Sequence, residues 1–150
     1  MSSALEDRLR ASSSQPKEVA DSRQIALLAA QKLAAKKGEA VLMLDLRRFD
    51  IGCDFFVLAT GKSDIHVRAL TEAVEEALEE AHGLRPWHVE GTPGARWVLM
   101  DYVDIVVHIF QREAREFYML ERLWGDAPSE LIESEDGGLS DEDDDSFEQD

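Results

Sequence analysis

Apolar residues recur at helical spacing through Ile25, Leu28, Ala29 and Leu33, one stripe of an amphipathic helix. Asp21 and Gln24 precede it at capping-box spacing, and Gly38 follows as the expected stop. The pattern then changes. Ala40 to Leu46 and Phe55 to Thr60 are short, nearly continuous apolar runs, which predicts strands covered on both faces. Ser63 is placed to cap a second helix, whose stripe is Val67, Leu70, Val74, Ala77, Leu78 and Ala81, with Glu72, Glu75, Glu76 and Glu79 outside it and His82-Gly83 at its end. Three further strands are predicted at Trp87 to Glu90, Arg96 to Tyr102 and Asp104 to Phe110, the first two separated by the turn residues Gly91 to Gly94. Phe117, Leu120 and Trp124 predict a last helix closed by Gly125. The order gives an α/β fold: a single domain with a mixed five-stranded β-sheet packed with helices.

Charge divides the chain further. The net charge is −16, but residues 126 to 150 hold 12 Asp and Glu and no Lys or Arg, leaving 20 acids against 16 bases, or −4, for residues 1 to 125. We therefore expect a disordered leader at 1–18, rich in Ser and charge, a folded domain at 19–125, and a disordered acidic tail at 126–150. Near balance in the domain argues against broad coating of a phosphate backbone, so any rRNA contact is expected to be local. The single Cys53 rules out an internal disulfide or a multi-cysteine zinc site. No apolar run approaches the roughly 20 residues that span a bilayer, and the N-terminal stretch lacks an apolar signal core. A cytoplasmic protein without membrane contact is the expectation.

Few positions carry candidate chemistry. Thr60-Gly61-Lys62-Ser63 has the end of a phosphate-binding loop, but Phe56 stands where the motif needs its first glycine, so a tight turn with a helix cap is favoured. Cys53 has no identifiable histidine partner. His88 and Glu90 share a strand face without the cysteine pair of a zinc deaminase. In Asp104 to Phe110, alternation puts Ile105, Val107 and Ile109 on a core face and Asp104, Val106, His108 and Phe110 on the other, with Trp97 and Asp101 beside them if the strands pair. Asp101, Asp104 and His108 are of metal-ligating type. The residues alone favour the alternative, in which His108 is a satisfied, half-buried histidine and the two aspartates shape the turn at Tyr102-Val103.

Several ordered blocks then resemble one family. Asp54 to Gly61, Ser63 with His66-Val67, Glu90-Gly91, Trp97 to Tyr102, Asp104 with Val107-His108, and Arg115, Phe117-Tyr118, Leu120-Glu121 and Leu123-Trp124 look like the ribosomal silencing factor, or Iojap-like, family over about residues 20 to 125. The resemblance implies a nucleotidyltransferase-like fold without catalysis, no cofactor and no metal. It implies binding of the large ribosomal subunit at large-subunit ribosomal protein fourteen, steric exclusion of the small subunit under nutrient limitation, and homodimers in several members. Carried over, the partner-binding residues are Trp97, Asp101, Tyr102, Asp104, His108 and Phe110, while Arg115, Tyr118 and Trp124 hold the last helix. Val103 stands where the family usually has glycine, so the turn is expected in an ordinary backbone region. The acidic tail lies outside the family pattern. Two other readings are a metal-dependent nucleotide-binding or transferase-like enzyme using Gly61 to Ser63 with Asp101 and Asp104, and a large-subunit assembly adaptor.

Overall fold

The structure, a computed structural model, describes residues 21–134, so the expected leader at 1–18 and the tail beyond 134 lie outside the described residues. The first helix, α1 (Ser22–Ala35), starts on the anticipated capping box: the Asp21 carboxylate accepts from the Gln24 amide at 2.9 Å, and the Gln24 side chain accepts from the Asp21 amide at 3.1 Å. Its stop differs from expectation. Lys37, not Gly38, takes the left-handed conformation (φ 72°), and the Gly38 amide closes the turn by donating to the Leu33 carbonyl at 2.8 Å.

Strand β1 (Glu39–Asp45) leads through a single 3₁₀ turn, Arg47–Phe49, to β2 (Phe55–Gly61). Next come helix α2 (Asp64–His82), the short β3 (His88–Glu90), β4 (Trp97–Asp101) and β5 (Ile105–Gln111). Ser63 caps α2 through a 3.1 Å bond from the His66 amide, and Gly83 ends it in the left-handed conformation. At the junction, a Cβ on Gly61 would sit 2.8 Å from a Val67 methyl and 3.2 Å from the Val67 amide nitrogen, so the glycine lets strand and helix touch.

The C-terminal region departs most from the sequence reading. One last helix becomes two short ones, α3 (Arg112–Tyr118) and α4 (Leu120–Leu123), broken at Met119, which has φ 48°. A sixth strand, β6 (Ser129–Leu131), then pairs antiparallel with β1, Leu131 opposite Leu42 and Ser129 opposite Leu44. Residues 126–134, expected to begin the acidic tail, thus include sheet: the Asp45 amide bonds the Pro128 carbonyl, the Ile132 amide bonds the Val41 carbonyl, and Ala127 is buried. Backbone pairing and a few apolar side chains outweigh the acidic composition there.

The sheet order is β3-β4-β5-β2-β1-β6. β2 and β5 run parallel at the centre, and every other neighbouring pair is antiparallel. Helices α1 and α2 cover one face, enclosing Leu33, Phe55, Val57, Leu70, Leu78, Met100, Ile105, Val107 and Ile109. A smaller cluster lies on the other face, where Leu44, Leu46, Leu58 and Phe110 pack beneath Ala114 and Ala127 with Leu120 and Trp124 at the margin. Because α3 and α4 are short, they leave part of this second face open.

Candidate partner-binding surface

The open face is laid out by register. Trp97 pairs with Phe110, Leu99 with His108, and Asp101 with Val106; on the far side of β5, Val106 lies beside Phe56 and His108 beside Leu58. β3 adds His88 opposite Asp101 and Glu90 opposite Leu99. Direct neighbours in register project to the same side, so β2, β3, β4 and β5 present one continuous surface. Phe56, Trp97, Leu99 and Val106 are half-buried on it, while Glu90 and Asp104 are exposed at its margin.

Trp97 is fixed from below and from both sides. Its indole N–H donates to His108 Nδ1 at 3.1 Å, and its ring centroid lies 5.0 Å from that of Phe110 and 4.8 Å from that of Tyr118. The chain is fixed too: a Cβ on Gly91, which has φ +89°, would come within 2.1 Å of the Trp97 carbonyl oxygen, so only glycine lets the preceding turn fold against β4. Aromatic contacts continue from His108 to Phe56 (4.6 Å), from Phe56 to Trp124 (6.1 Å) and from Trp124 to Phe49 (5.6 Å). Beyond Tyr118 the patch spreads to Phe117, 78% exposed, with Met119 between the two short helices and Leu123 on the second also exposed.

The six residues inferred from sequence divide three ways. Trp97 is part of the open surface, with Asp101 and Asp104 at its end. His108 and Phe110 are on this face as alternation predicted, but they are buried, His108 to 3% exposure, as a second core layer rather than as contact groups. Tyr102 is buried against the opposite face among the residues covered by α1 and α2, where burial and the neighbouring Glu75 and Glu79 push its phenol pKa upward. Sequence reasoning put Val106 on this face without choosing it as a contact and passed over Phe56 and Leu99, although period-two alternation held the signal for both.

Burial also decides the chemistry. His108 accepts at Nδ1, so its proton sits on Nε2, which has no hydrogen-bond partner, and desolvation lowers its pKa to about 4. It is a neutral histidine that orients an indole. Burial, then the carboxylates of Asp54, Asp101 and Asp104, push the Cys53 thiol up to about 11, which keeps it protonated. Asp101 accepts from the Val103 amide at 2.8 Å and so shapes the turn, and among the described residues no group of three acids, histidines or cysteines is arranged to hold a metal. The backbone there contradicts the expectation for Val103. Its φ is +78°, and the Asp104 amide donates to the Tyr102 carbonyl at 2.9 Å, closing a three-residue γ-turn around a β-branched residue.

At the other end of the sheet, the Gly61-Lys62-Ser63 turn is occupied by the fold itself. The Lys62 amide donates to His66 Nδ1 at 2.9 Å, His66 Nε2 donates to the Lys36 carbonyl at 3.0 Å, and the Ser63 hydroxyl caps α2. Arg115, as the resemblance implied, ties α3 to the sheet. Its guanidinium donates from Nη1 to the Ala40 carbonyl at 2.8 Å and to the Thr60 hydroxyl at 2.9 Å, and from Nε to Glu121 at 3.3 Å. No described helix is long and apolar enough to cross a membrane.

Comparison with known proteins gives a consistent picture. The model of a family described as ribosomal silencing factor during starvation matches residues 19–150. A ribosomal silencing factor of Bacillus subtilis is 38% identical over 106 residues, covering 71% of this chain and 89% of that protein. A mitochondrial Iojap-related protein of Arabidopsis thaliana is 33% identical, covering 61% of this chain and 52% of that one. Among solved structures, a protein from Chromobacterium violaceum superposes with a TM-score of 0.67 at 34% identity, covering 71% of this chain and 88% of that one.

Proposed function

Because the chain belongs to the ribosomal silencing factor family, we propose that it is a non-enzymatic repressor of translation that docks on the large ribosomal subunit through the open face of its sheet. The partner on the subunit is large-subunit ribosomal protein fourteen, and the bound domain stands where the small subunit would join. One observation carries the choice of surface. α1 and α2 cover one face of the sheet, whereas the other leaves Phe56, Trp97, Leu99 and Val106 half-buried beside the exposed Phe117, Tyr118, Met119 and Leu123. A contiguous apolar patch with aromatic anchors and a polar rim is the anatomy of a protein interface. Glu90, Asp101 and Asp104 place negative charge along one edge, which suits a basic ribosomal protein. The setting is cytoplasmic, and rRNA contributes local contacts at most.

Co-sedimentation with purified subunits tests this. The protein is expected to pellet with large and not small subunits, and to reduce their joining when added beforehand. Leu99→Asp and Val106→Asp place a charge in the patch without removing a hydrogen bond, and each is expected to weaken pelleting about tenfold or more, the scale of losing a central contact. Glu76→Lys on the helix-covered side serves as the control. Unchanged pelleting of both patch variants, with circular dichroism showing them folded, would move the interface elsewhere.

A further inference from the structure

The charges of the folded part are sorted by position, and the sorting bears on the segment that follows it. Lys32 lies in the last turn of α1, Lys36 and Lys37 follow directly, and Lys62 stands at the end of β2. His66 bridges the Lys36 carbonyl and the Lys62 amide, which brings these two sites together. Arg112 completes the group: it and Lys62 flank Glu39, Arg112 at 2.7 Å and Lys62 at 3.9 Å, and both keep 64% of their side-chain surface exposed. Two cations thus flank Glu39 directly, with Lys32, Lys36 and Lys37 on the neighbouring end of α1 and the turn after it, and Glu116 acts on Arg112 from α3.

β6 runs antiparallel to β1, from Ser129 opposite Leu44 toward the Ile132 amide on the Val41 carbonyl, so the chain leaves the sheet heading for Ala40, Glu39 and this cationic end. The 16 residues beyond Ser134 contain nine Asp and Glu and no Lys or Arg. A random coil of 16 residues spans about 20 Å on average, so tethering at the neighbouring strand puts a segment of that length within reach of the lysines at high effective concentration.

We propose that residues 135–150 dock back onto the cationic end built by Lys32, Lys36, Lys37, Lys62 and Arg112, and there exclude an RNA phosphate backbone. The tail acts as a tethered polyanion. It neutralises a cationic part of the folded domain able to attract RNA, which leaves association to the apolar face. The contact is intramolecular and stands whether or not the ribosome is the partner.

Paramagnetic relaxation on the full chain tests it. A spin label on Ser146→Cys, in a Cys53→Ser background, is expected to broaden the amides of Lys36, Lys37, Glu39 and Lys62 at about 0.01 M salt, where charges act over about 30 Å, and to lose the effect at about 1 M, where they act over about 3 Å. Neutralising all nine acids of the tail in full-length protein (Glu135→Gln, Asp136→Asn, Asp141→Asn, Glu142→Gln, Asp143→Asn, Asp144→Asn, Asp145→Asn, Glu148→Gln, Asp150→Asn) changes no residue of the described fold and is expected to abolish the broadening. The same variant is expected to bind a labelled single-stranded oligouridylate about tenfold more tightly at low salt, a gain that Lys36→Glu with Lys62→Glu cancels. Absence of broadening at these amides, or its appearance chiefly on another face, overturns the docking. Equal oligouridylate affinity of the native and neutralised tails overturns the exclusion of RNA.

Discussion

Val103 holds a backbone conformation that its own side chain resists. At φ +78°, a β-branched residue costs about 1–3 kcal/mol relative to one free of the clash, while glycine brings an entropic penalty of about 0.5–1 kcal/mol. Val103→Gly is therefore expected to stabilise the fold by about 1 kcal/mol, read as a rise in the urea midpoint with no change in slope. His108 makes the complementary prediction through pH. Its folded pKa of about 4 lies below the ordinary 6.5, so between these values the unfolded chain takes a proton that the folded chain refuses. This contribution is fully present above pH 6.5 and is lost as pH falls toward 4, by about 3 kcal/mol from the size of the shift. His108→Gln is expected to flatten that part of the stability profile relative to the native protein in matched urea titrations at pH 7 and pH 4.5. Sequence showed that His108 and Phe110 share a face with Trp97, because alternation is local. It could not show that they lie under α3 and α4, because that covering is set by contacts made elsewhere in the chain. Tyr102 is a different case: alternation already put it in phase with Val98 and Met100 and away from Trp97, and the carry-over from the family resemblance overrode that local signal.

At the scale of elements, signals held in neighbouring residues were the legible ones. The Asp21–Gln24 capping box set the start of α1, and the Ser63 cap with Gly83 beyond His82 set both bounds of α2, as read. β6 was not legible, because three exposed residues among acids carry little apolar signal and depend on β1 for their hydrogen bonds. The break at Met119 was missed for a related reason: helical spacing through Phe117, Leu120 and Trp124 continues in sequence across a reversal of the backbone. Arg115 makes the C-terminal elements stick. It is buried with its donors on Ala40, Thr60 and Glu121, and removing it strands those acceptors. Arg115→Met is expected to cost about 3 kcal/mol, and Arg115→Lys to recover little because an ammonium lacks the forked donors. Calorimetry checks the cost, and faster amide exchange in residues 112–124 checks its location.

For the molecule as a whole, acids and bases are distributed unevenly between the ends of the sheet, and its two faces differ in how far they are covered. Asp54, Asp101 and Asp104 gather near Cys53, whereas Lys62 and Arg112 flank Glu39 at the other end. Neither division was visible before the order of the strands was known, since β2 meets β5 across fifty residues of sequence, from Phe55 to Ile105. If the open face is the route by which copies associate, native protein is expected to show a concentration-dependent rise in mass by sedimentation equilibrium, and Val106→Asp to remain monomeric over the same range.

The strands at the rims give this last point its force. β3 and β6 are three residues each, and they carry Glu90 and Glu130 where a neighbouring sheet would have to align. Short, charged rims discourage the edge-to-edge growth that turns sheet proteins into aggregates. If copies associate, these rims leave the apolar face, the surface proposed for the ribosome, as the route. If copies pair through that face and it also docks on the large subunit as proposed, the two contacts compete, and protein sequestered in pairs forms a reserve that free large subunits draw down by mass action.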